Sequence, residues 1–249
     1  MSTSQTDSVL AGKSVLVVGV GGLGCPAALA LVRSGLGRLL LADDDEVELS
    51  NLHRQILFRD EQLGRDKLDA ARESLEALGD GRTQIELVRE RLLPDNALSF
   101  VERADVIVEG ADNFATKFLA ADAAHLARRP VVHGAGVRWT ATAWCVAPEG
   151  APCYRCLFED VPTGAAVPNC AEAGVMGPVV GVCGALMADL ALRLLAGETP
   201  FGTIHTFDGK TDRLRSVAVA ARGDCPLCGS SPKIFDIIES RYIQGICAA

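Results

Sequence analysis

VLVVGVGGLG, at residues 15–24, joins a short apolar run to a glycine-rich turn near the start of the chain. The apolar run predicts a buried strand at 15–19, and the residues after the turn predict a helix at 26–34. Glycines in such a turn let phosphate oxygens approach backbone N–H groups at the positive end of the helix. The stretch therefore predicts a phosphate-binding loop formed by Gly19, Gly21, Gly22 and Gly24, without saying which nucleotide it binds.

Apolar runs rich in β-forming residues alternate with amphipathic runs in the first half of the chain. They predict strands at 38–42, 84–89, 104–109 and 130–134, and helices at 62–78 and 113–128. After residue 140 they predict strands at 140–147, 203–207 and 214–220, the last two as a hairpin, and a long core helix at 174–196. We expect an α/β fold with a Rossmann-like, doubly wound mixed sheet, parallel in its N-terminal part and antiparallel or mixed in its C-terminal part.

The composition indicates one globular domain covering residues 1–249, because the chain has no internal repeat and no low-complexity linker. Of its 249 residues, 49% are hydrophobic and 22% are charged, which is enough for a large core. The net charge of −8 and a pI near 5.1 disfavour binding to nucleic acid, which depends on many Lys and Arg contacts to phosphate. The low aromatic content of 5% argues against base-stacking platforms.

Two stretches of the sequence indicate where in the cell the protein is located: the N-terminal residues and the most apolar run. Residues 1–10 lack the basic cluster and the apolar core of a signal peptide, which predicts a cytoplasmic protein. The most apolar run, residues 179–196, contains Asp189 and Arg193. Charges near the centre of a bilayer are costly, so we expect a buried helix there and no membrane span.

Two cysteine pairs lie in the second half of the chain, Cys153-x-x-Cys156 and Cys225-x-x-Cys228. Each spacing lets two thiolates turn onto one ion, and two such pairs complete the four-sulfur tetrahedron that structural Zn²⁺ prefers. Two disulfides or unrelated core thiols are the alternatives. Because a reducing compartment disfavours disulfides, we predict a zinc element with four cysteine ligands.

Polar residues follow the second predicted strand. Asp43 lies about 20 positions after the glycine loop, where folds of this kind bond a ribose hydroxyl. The stretch that continues to residue 67 contains Asn51, Arg54, Gln55 and Lys67. Arg and Lys can neutralise phosphate charge, and Asn and Gln can orient its oxygens, so this set indicates a triphosphate. A nicotinamide or flavin dehydrogenase is the alternative, but it requires neither this set nor four cysteines.

Asp112 follows the strand predicted at 104–109 and is therefore expected at the carboxyl edge of the sheet. Ligands of this architecture bind at that edge, so we interpret Asp112 as a carboxylate that holds Mg²⁺. Capping the helix that begins near Asn113 is its other possible role. The four histidines show no paired metal spacing, and we assign none of them to catalysis.

Seven segments together resemble the ubiquitin-activating-enzyme-like adenylyltransferases of the ThiF, MoeB and HesA group. They are GVGGLG (19–24), DDDEVELSNLHRQ (43–55), GRDKLDAA (64–71), GADN (110–113), CYRC (153–156), NCAEAGVMGPVVGV (169–182) and CPLC (225–228). The resemblance implies adenylation, with Mg-ATP, of the C-terminal glycine of a small ubiquitin-fold sulfur-carrier protein with a Gly-Gly tail. An acyl-adenylate and pyrophosphate would form, for later sulfur transfer in thiamine, molybdopterin or related biosynthesis.

The resemblance also implies roles for individual residues. It places Gly22 at the phosphates and Asp112 on Mg²⁺. It places Asp43 at the ribose, with Asp45 in the same nucleotide-binding set. Asn51, Arg54, Gln55 and Lys67 would contact the triphosphate, and Arg54, Lys67 and Asp112 would be catalytic. Residues 1–135 would form the nucleotide-binding half, and residues 136–249 the half that binds the carrier protein and contains the zinc site.

Cys170 is the remaining candidate for covalent chemistry. It follows a segment rich in Pro and Gly, and it precedes the predicted helix at 174–196, whose dipole could lower the pKa of its thiol. In ThiF-like relatives the cysteine at this position can be linked covalently to the activated carrier. We predict an acyl or persulfide acceptor, with an ordinary loop thiol as the alternative. Cys25, Cys145 and Cys183 are predicted to be packing residues.

The chain departs from the family pattern at its start, where relatives carry an Arg-Tyr-x-Arg-Gln segment whose first arginine reaches the neighbouring subunit's ATP site. Arg241, in the similar string at 241–244, is our candidate for supplying that charge, in a homodimer. A cysteine desulfurase or a rhodanese is expected as a separate sulfur donor. Adenylation of a peptide carboxylate in a natural-product pathway and an NAD-dependent oxidoreductase are the alternative functions.

Overall fold

A computed structural model describes residues 9–162 and 174–242 of the chain. Its strands are β1 (Ser14–Val18), β2 (Arg38–Ala42), β3 (Gln84–Val88), β4 (Val106–Glu109), β5 (Val131–Val137), β6 (Thr140–Val146), β7 (Thr203–Asp208) and β8 (Arg213–Ala218). Its helices are α1 (Gly24–Arg33), α2 (Lys67–Leu78), α3 (Ala97–Val101), α4 (Phe114–Leu126), α5 (Tyr154–Leu157) and α6 (Gly177–Leu195). Short 3-10 turns lie at Leu49–Asn51, Asp60–Gln62 and Glu239–Arg241.

All eight strands form one sheet in the order β3-β2-β1-β4-β5-β6-β7-β8. Strands β1 to β5 pair in parallel, whereas β5, β6, β7 and β8 pair antiparallel. The predicted fold class is confirmed. The order reverses at β1, with β2 on one side and β4 on the other, and ligands of doubly wound sheets bind outside the carboxyl ends of the strands at such a point.

The central strands are buried on both faces because their side chains alternate between two apolar clusters. Val15 and Val17 of β1 pack in the cluster that contains residues of α1 and α6. Leu16 and Val18 pack in the opposite cluster, with residues of α3 and α4 and with part of the cysteine-containing segment. A continuous apolar run such as 15–18 is the pattern expected of a parallel strand covered on both faces.

Helix α6 is long and apolar enough to cross a membrane, and it is the one helix of the described ranges that passes this test. Half of its apolar window is buried inside the protein. It packs against α1, β5 and β6. A Cβ atom at Gly184 would lie 2.5 Å from the Leu23 carbonyl oxygen, so glycine is needed where α6 meets α1. This environment is that of a core helix, as the sequence predicts.

The largest boundary error concerns the start of the helix predicted at 62–78, because α2 begins only at Lys67. Gly64 has a φ of +74°, which takes the chain out of helical geometry. Asp66 then caps α2 by accepting a hydrogen bond from the Asp69 N–H at 2.9 Å. The other predicted boundaries agree within three residues, whereas the short helices α3 and α5 were not predicted.

Candidate functional site

The glycine loop connects β1 to α1 in a close turn. Gly19 has a φ of +86°, and its N–H donates to the Ala42 carbonyl oxygen at 2.9 Å. A Cβ atom at Gly24 would lie 2.0 Å from the Gly19 carbonyl oxygen, which no side chain could tolerate. The close turn forms because glycine occupies both of these positions. It places the start of α1 at the carboxyl ends of the parallel strands.

A cavity of about 670 Å³ opens at this edge of the sheet, within the usual size range of small-molecule sites. Ten of the predicted nucleotide-binding residues line it, and they are Gly19, Gly21, Gly22, Asp43, Asp45, Asn51, Arg54, Gln55, Lys67 and Asp112. Gly24 lies behind the loop instead, where it permits the turn. The fold thus brings together residues from four separate segments of sequence.

Asp43 and Lys67 form the buried end of a charged group on one wall of the cavity. Asp43 accepts hydrogen bonds from the Val20 N–H at 2.7 Å and from the Asp45 N–H at 3.0 Å. The Lys67 Nζ lies 2.7 Å from an Asp45 carboxylate oxygen and 3.6 Å from one of Asp43. Burial raises the pKa of Asp43, and Lys67 limits that rise. Burial opposes the charge of Lys67, but Asp43 and Asp45 outweigh it and raise its pKa.

Arg54 is held differently from Lys67. Its guanidinium donates to the side-chain oxygen of Asn51 and, at 3.2 Å, to the Ser50 carbonyl oxygen. Asn51 in turn donates to Glu48 at 3.1 Å. Within the described ranges no carboxylate forms an ion pair with Arg54. Its positive charge is therefore fixed in position and available to an anion in the cavity.

Gln55 is a buried amide beside the glycine loop. Its side chain is only 4% exposed, and its Oε1 has no hydrogen-bond partner among the described residues. A Cβ atom at Gly21 would lie 3.8 Å from the Gln55 Nε2, which shows how closely the amide approaches the loop. Because buried polar atoms are nearly always hydrogen-bonded, we expect the Gln55 Oε1 to accept a hydrogen bond from a ligand or a water in the cavity.

Asp112 is exposed at the mouth of the cavity, directly after β4. Its carboxylate has no hydrogen-bond or ion-pair partner in the part of the chain that the structure describes. The cap of α4 is Asn113, whose Oδ1 accepts from the Thr116 N–H at 2.9 Å. Capping, the other role considered for Asp112, therefore belongs to its neighbour, and the Asp112 carboxylate is free to bind a cation.

A buried charged cluster that borders the cavity through Lys117 was missed by sequence reasoning. Glu109, Lys117 and His133 are buried, and Glu109 contacts both of the others. A signal was present, since Glu109 ends an otherwise apolar strand and Lys117 lies in an apolar helix. No short motif joins the three residues, which come from β4, α4 and β5.

The four predicted metal ligands meet in space. The sulfur atoms of Cys153, Cys156, Cys225 and Cys228 all lie within 4.8 Å of one another. Three of the sulfur pairs lie 3.4, 3.5 and 3.9 Å apart. A tetrahedral Zn²⁺ with Zn–S bonds of about 2.3 Å requires sulfur separations of about 3.8 Å. The donor set and its spacing fit a structural zinc ion.

The surroundings of this cysteine cluster act differently on its thiols. Burial raises the pKa of Cys153, and it raises the pKa of Cys228 to about 11. Burial also opposes ionisation of Cys225, but N–H groups of Cys228 and Leu227 outweigh it and lower its pKa. The Arg222 N–H donates to the Cys156 sulfur at 3.4 Å. A Cβ atom at Gly150 would lie 2.6 Å from the Cys228 Cβ, so only glycine leaves room for the second pair of cysteines.

The two residues between Cys153 and Cys156 tie the cluster to α4. Tyr154 packs edge-on against Phe118, with ring centres 4.9 Å apart. Arg155 is buried and donates to Asp122 at 2.8 Å. Tyr242, near the end of the described residues, donates to the same carboxylate at 2.8 Å. The cysteine cluster and α4, whose first turn borders the cavity, are therefore parts of one packed unit.

Cys25, Cys145 and Cys183 are core thiols, as predicted from the apolar runs that contain two of them. All three are buried. Burial raises the pKa of each thiol from its ordinary value to about 12. Thiolate is the reactive form of cysteine, so these residues should be inert in the folded protein.

We therefore expect Cys25, Cys145 and Cys183 to resist iodoacetamide at about pH 8, where a thiol with so high a pKa is almost wholly protonated. Peptide mass spectrometry of the native protein should find all three unmodified. The same treatment in denaturant should alkylate them fully, which provides the control. Rapid alkylation of any one of them in the native protein would show that its burial is wrong.

Two predictions fall outside this geometry. Cys170 lies outside the described residues, so its role stays a prediction. Arg241 lies outside the set that lines the cavity, and its guanidinium donates to the Asp236 carbonyl oxygen at 2.8 Å. Within a single chain, Arg241 thus does not supply charge to the cavity.

The chain matches a known protein family and several known proteins. The ThiF family model matches residues 4–227. The chain is 39% identical over 231 residues to the adenylyltransferase and sulfurtransferase MOCS3 of Aedes aegypti, covering 91% of this chain and 52% of that protein. The chain thus spans about half the length of that relative. It is 38% identical over 240 residues to the sulfur carrier protein adenylyltransferase of Thermus thermophilus, covering 94% and 88% of the two chains.

Solved structures share the fold. A crystal structure of E. coli MccB with ATP superimposes with a TM-score of 0.77 at 20% identity, covering 91% of this chain and 69% of that one. The crystal structure of PaaA gives a TM-score of 0.71 at 24% identity, covering 87% and 67%. At these identities the likeness shows the architecture alone.

Proposed function

Because the chain belongs to the ThiF family, we propose that it adenylates the C-terminal glycine of a ubiquitin-fold sulfur-carrier protein with Mg-ATP. One observation carries the proposal. The polar side chains expected to contact ATP line a single cavity at the point where the strand order of the sheet reverses. The 38% identity to a sulfur carrier protein adenylyltransferase over most of its length supports the choice of substrate.

In the proposed reaction, a carboxylate oxygen of the carrier's terminal glycine attacks the α-phosphorus of ATP. A new O–P bond forms, the bond to the β-phosphate oxygen breaks, and pyrophosphate leaves with its electron pair. The protein has little covalent work to do here. It must align two anions and stabilise charge at phosphorus, which fixed cations and backbone amides accomplish.

We assign the main cationic role to Arg54, because no carboxylate pairs with it among the described residues and two oxygen acceptors fix its guanidinium. Lys67 is already paired with Asp45 and Asp43. For Lys67 to bind a phosphate, Asp45 must give up its bond. Asp45 can do so at low cost, since its side chain is 53% exposed and water can replace the contact.

Mg²⁺ would be held at Asp112, whose exposed carboxylate suits a hard cation that keeps several of its own waters. Mg²⁺ bound there would neutralise phosphate charge. Gln55 presents to the same cavity a side-chain oxygen that has no hydrogen-bond partner among the described residues. Zn²⁺ would be held by the four cysteines, where it would close the chain between two distant segments and perform no chemistry.

The remaining parts of the proposal concern other molecules. Residues 136–249 would contribute most to binding the carrier, and Cys170 would accept the activated acyl group or a persulfide. The chain would act as a homodimer. A separate cysteine desulfurase or rhodanese would supply the sulfur. A reducing compartment such as the cytoplasm would keep the four cysteines as metal ligands.

The test is ATP–pyrophosphate exchange with a panel of purified carrier proteins that end in Gly-Gly. We expect exchange that requires both Mg²⁺ and one such carrier, and that disappears when the last glycine of the carrier is deleted. Exchange with a peptide carboxylate, but with no carrier, would instead identify a peptide-adenylating enzyme. Tight binding of NAD without any exchange would contradict adenylation altogether.

A further inference from the structure

The buried charged cluster of Glu109, Lys117 and His133 lies directly beneath the segment that presents Asp112. The Glu109 carboxylate contacts the Lys117 Nζ at 3.0 and 3.2 Å and the His133 Nδ1 at 3.0 Å. All three side chains are buried. A buried ion pair adds little net stability compared with apolar side chains of the same volume, so its presence here needs a reason other than stability.

The first contact of this cluster is with the backbone next to Asp112. Glu109 accepts a hydrogen bond from the Ala111 N–H at 2.6 Å. Lys117, held by the same carboxylate, lies in the first turn of α4, just after Asp112 in the chain. Glu109 therefore fixes the turn that carries Asp112 at both of its ends, through the backbone before it and through the helix after it.

The second contact reaches the opposite wall of the cavity. The Lys117 Nζ donates to the Gly134 carbonyl oxygen on β5, and the next two residues, Ala135 and Gly136, line the cavity. A Cβ atom at Gly134 would lie 2.2 Å from the Met187 sulfur, so β5 packs closely against α6 here. One carboxylate thus links the Asp112 turn to the opposite wall of the cavity.

These contacts determine which side chains of the cluster are ionised. Burial opposes ionisation of Glu109, but Lys117 and His133 outweigh it and lower its pKa. Burial lowers the pKa of His133, which is therefore neutral near pH 7 and donates its Nδ1–H to Glu109. Because the only net charges in this cluster are those of Glu109 and Lys117, a variant that neutralises both leaves no charge buried alone.

We propose that Glu109 is a positioning residue, which acts through Ala111 and Lys117 to hold Asp112 where it binds the Mg²⁺ of the bound nucleotide. The inference rests on the proposed function only in requiring that the cavity bind Mg-ATP. Residues that orient a metal ligand commonly change metal affinity by about 10- to 100-fold when they are substituted.

The test uses the double variant Glu109→Gln/Lys117→Met, which replaces the ion pair by neutral side chains of similar size. The measurement is calorimetric binding of α,β-methylene-ATP at increasing Mg²⁺ concentrations, which needs neither a carrier nor turnover. We expect the Mg²⁺ concentration for half-maximal tightening to rise roughly tenfold. Binding of the analogue without Mg²⁺ should change far less, because the contacts of Arg54 and Gln55 remain.

A matched control is the double variant Asp122→Asn/Arg155→Met. It removes an equally buried ion pair, which joins Asp122 on the same helix, α4, to Arg155 on α5, away from the Asp112 turn. We expect it to lower the melting temperature by at least as much and to keep the wild-type Mg²⁺ dependence. If the two double variants shift the Mg²⁺ dependence equally, or if Glu109→Gln/Lys117→Met leaves it unchanged, the proposal is overturned.

Two further outcomes are separable. If the Glu109→Gln/Lys117→Met protein does not fold, Glu109→Asp answers the same question, because it keeps the charge but is too short to reach both Ala111 and Lys117. If the wild-type protein binds the analogue with Mg²⁺ but catalyses no exchange with any carrier, the proposed substrate is wrong and the positioning role of Glu109 stands.

Discussion

Arg54→Ala is expected to lower the rate of ATP–pyrophosphate exchange by roughly 10²–10³-fold, the usual cost of removing one fixed group that stabilises transition-state charge. In this structure Arg54 is the cavity-lining cation that carries no carboxylate partner among the described residues, and Ser50 and Asn51 hold its guanidinium in place. Its stem also packs on the glycine loop, since a Cβ at Gly22 would lie 3.3 Å from the Arg54 Cγ. The loss should appear mainly in kcat, because the charge on the phosphates grows as pyrophosphate departs.

Arg54→Lys separates the charge of this side chain from its geometry. Lysine keeps the charge but cannot make the two fixed contacts to Ser50 and Asn51, so we expect an intermediate loss. Arg65→Ala is the control, since Arg65 is exposed, lies in the same region and pairs with Glu73 at 2.9 Å outside the cavity. Arg54→Ala with exchange within about twofold of wild type would remove Arg54 from the catalytic group.

The elements around the cavity could be predicted because their signals are local. An apolar run followed by spaced glycines specifies β1, the turn and α1, and the alternation of strand-like and amphipathic runs specifies the parallel pairing. The boundary of α2 was misplaced because Gly64 and Asp66 were not recognised as a break and a cap. The amphipathic pattern extends through residues 62–66, but the backbone there forms a turn and becomes α-helical only at Lys67.

The residues missed at the site are those whose partners are distant in sequence. Glu109 and His133 meet only because β4 and β5 pair in register, Glu109 opposite His133. Arg155 meets Asp122 only because the cysteine cluster folds against α4. Spacing rules detect ligands that share one motif, as in Cys153-x-x-Cys156, but carry no information on which strand or helix will face a given charge.

Loss of the zinc ion that we propose at the four cysteines should have the largest effect on stability. We expect the purified protein to contain one zinc ion per chain and Cys156→Ser to lose it, because a hydroxyl does not replace a thiolate ligand. Structural zinc in small fingers contributes apparent binding free energies of about 10–16 kcal/mol. Even a loss of about 5 kcal/mol corresponds to a fall of about 10–20 °C in Tm for a domain of this size. Elemental analysis and thermal unfolding measure both quantities.

The control is Cys25→Ser, which changes a buried thiol outside the cysteine cluster. The Cys25 sulfur donates to the Val20 carbonyl oxygen at 3.4 Å, and a serine hydroxyl can make the same bond, so zinc content should stay at the wild-type level. A Cys156→Ser protein with full zinc content and an unchanged Tm would show that the four cysteines do not form a metal site.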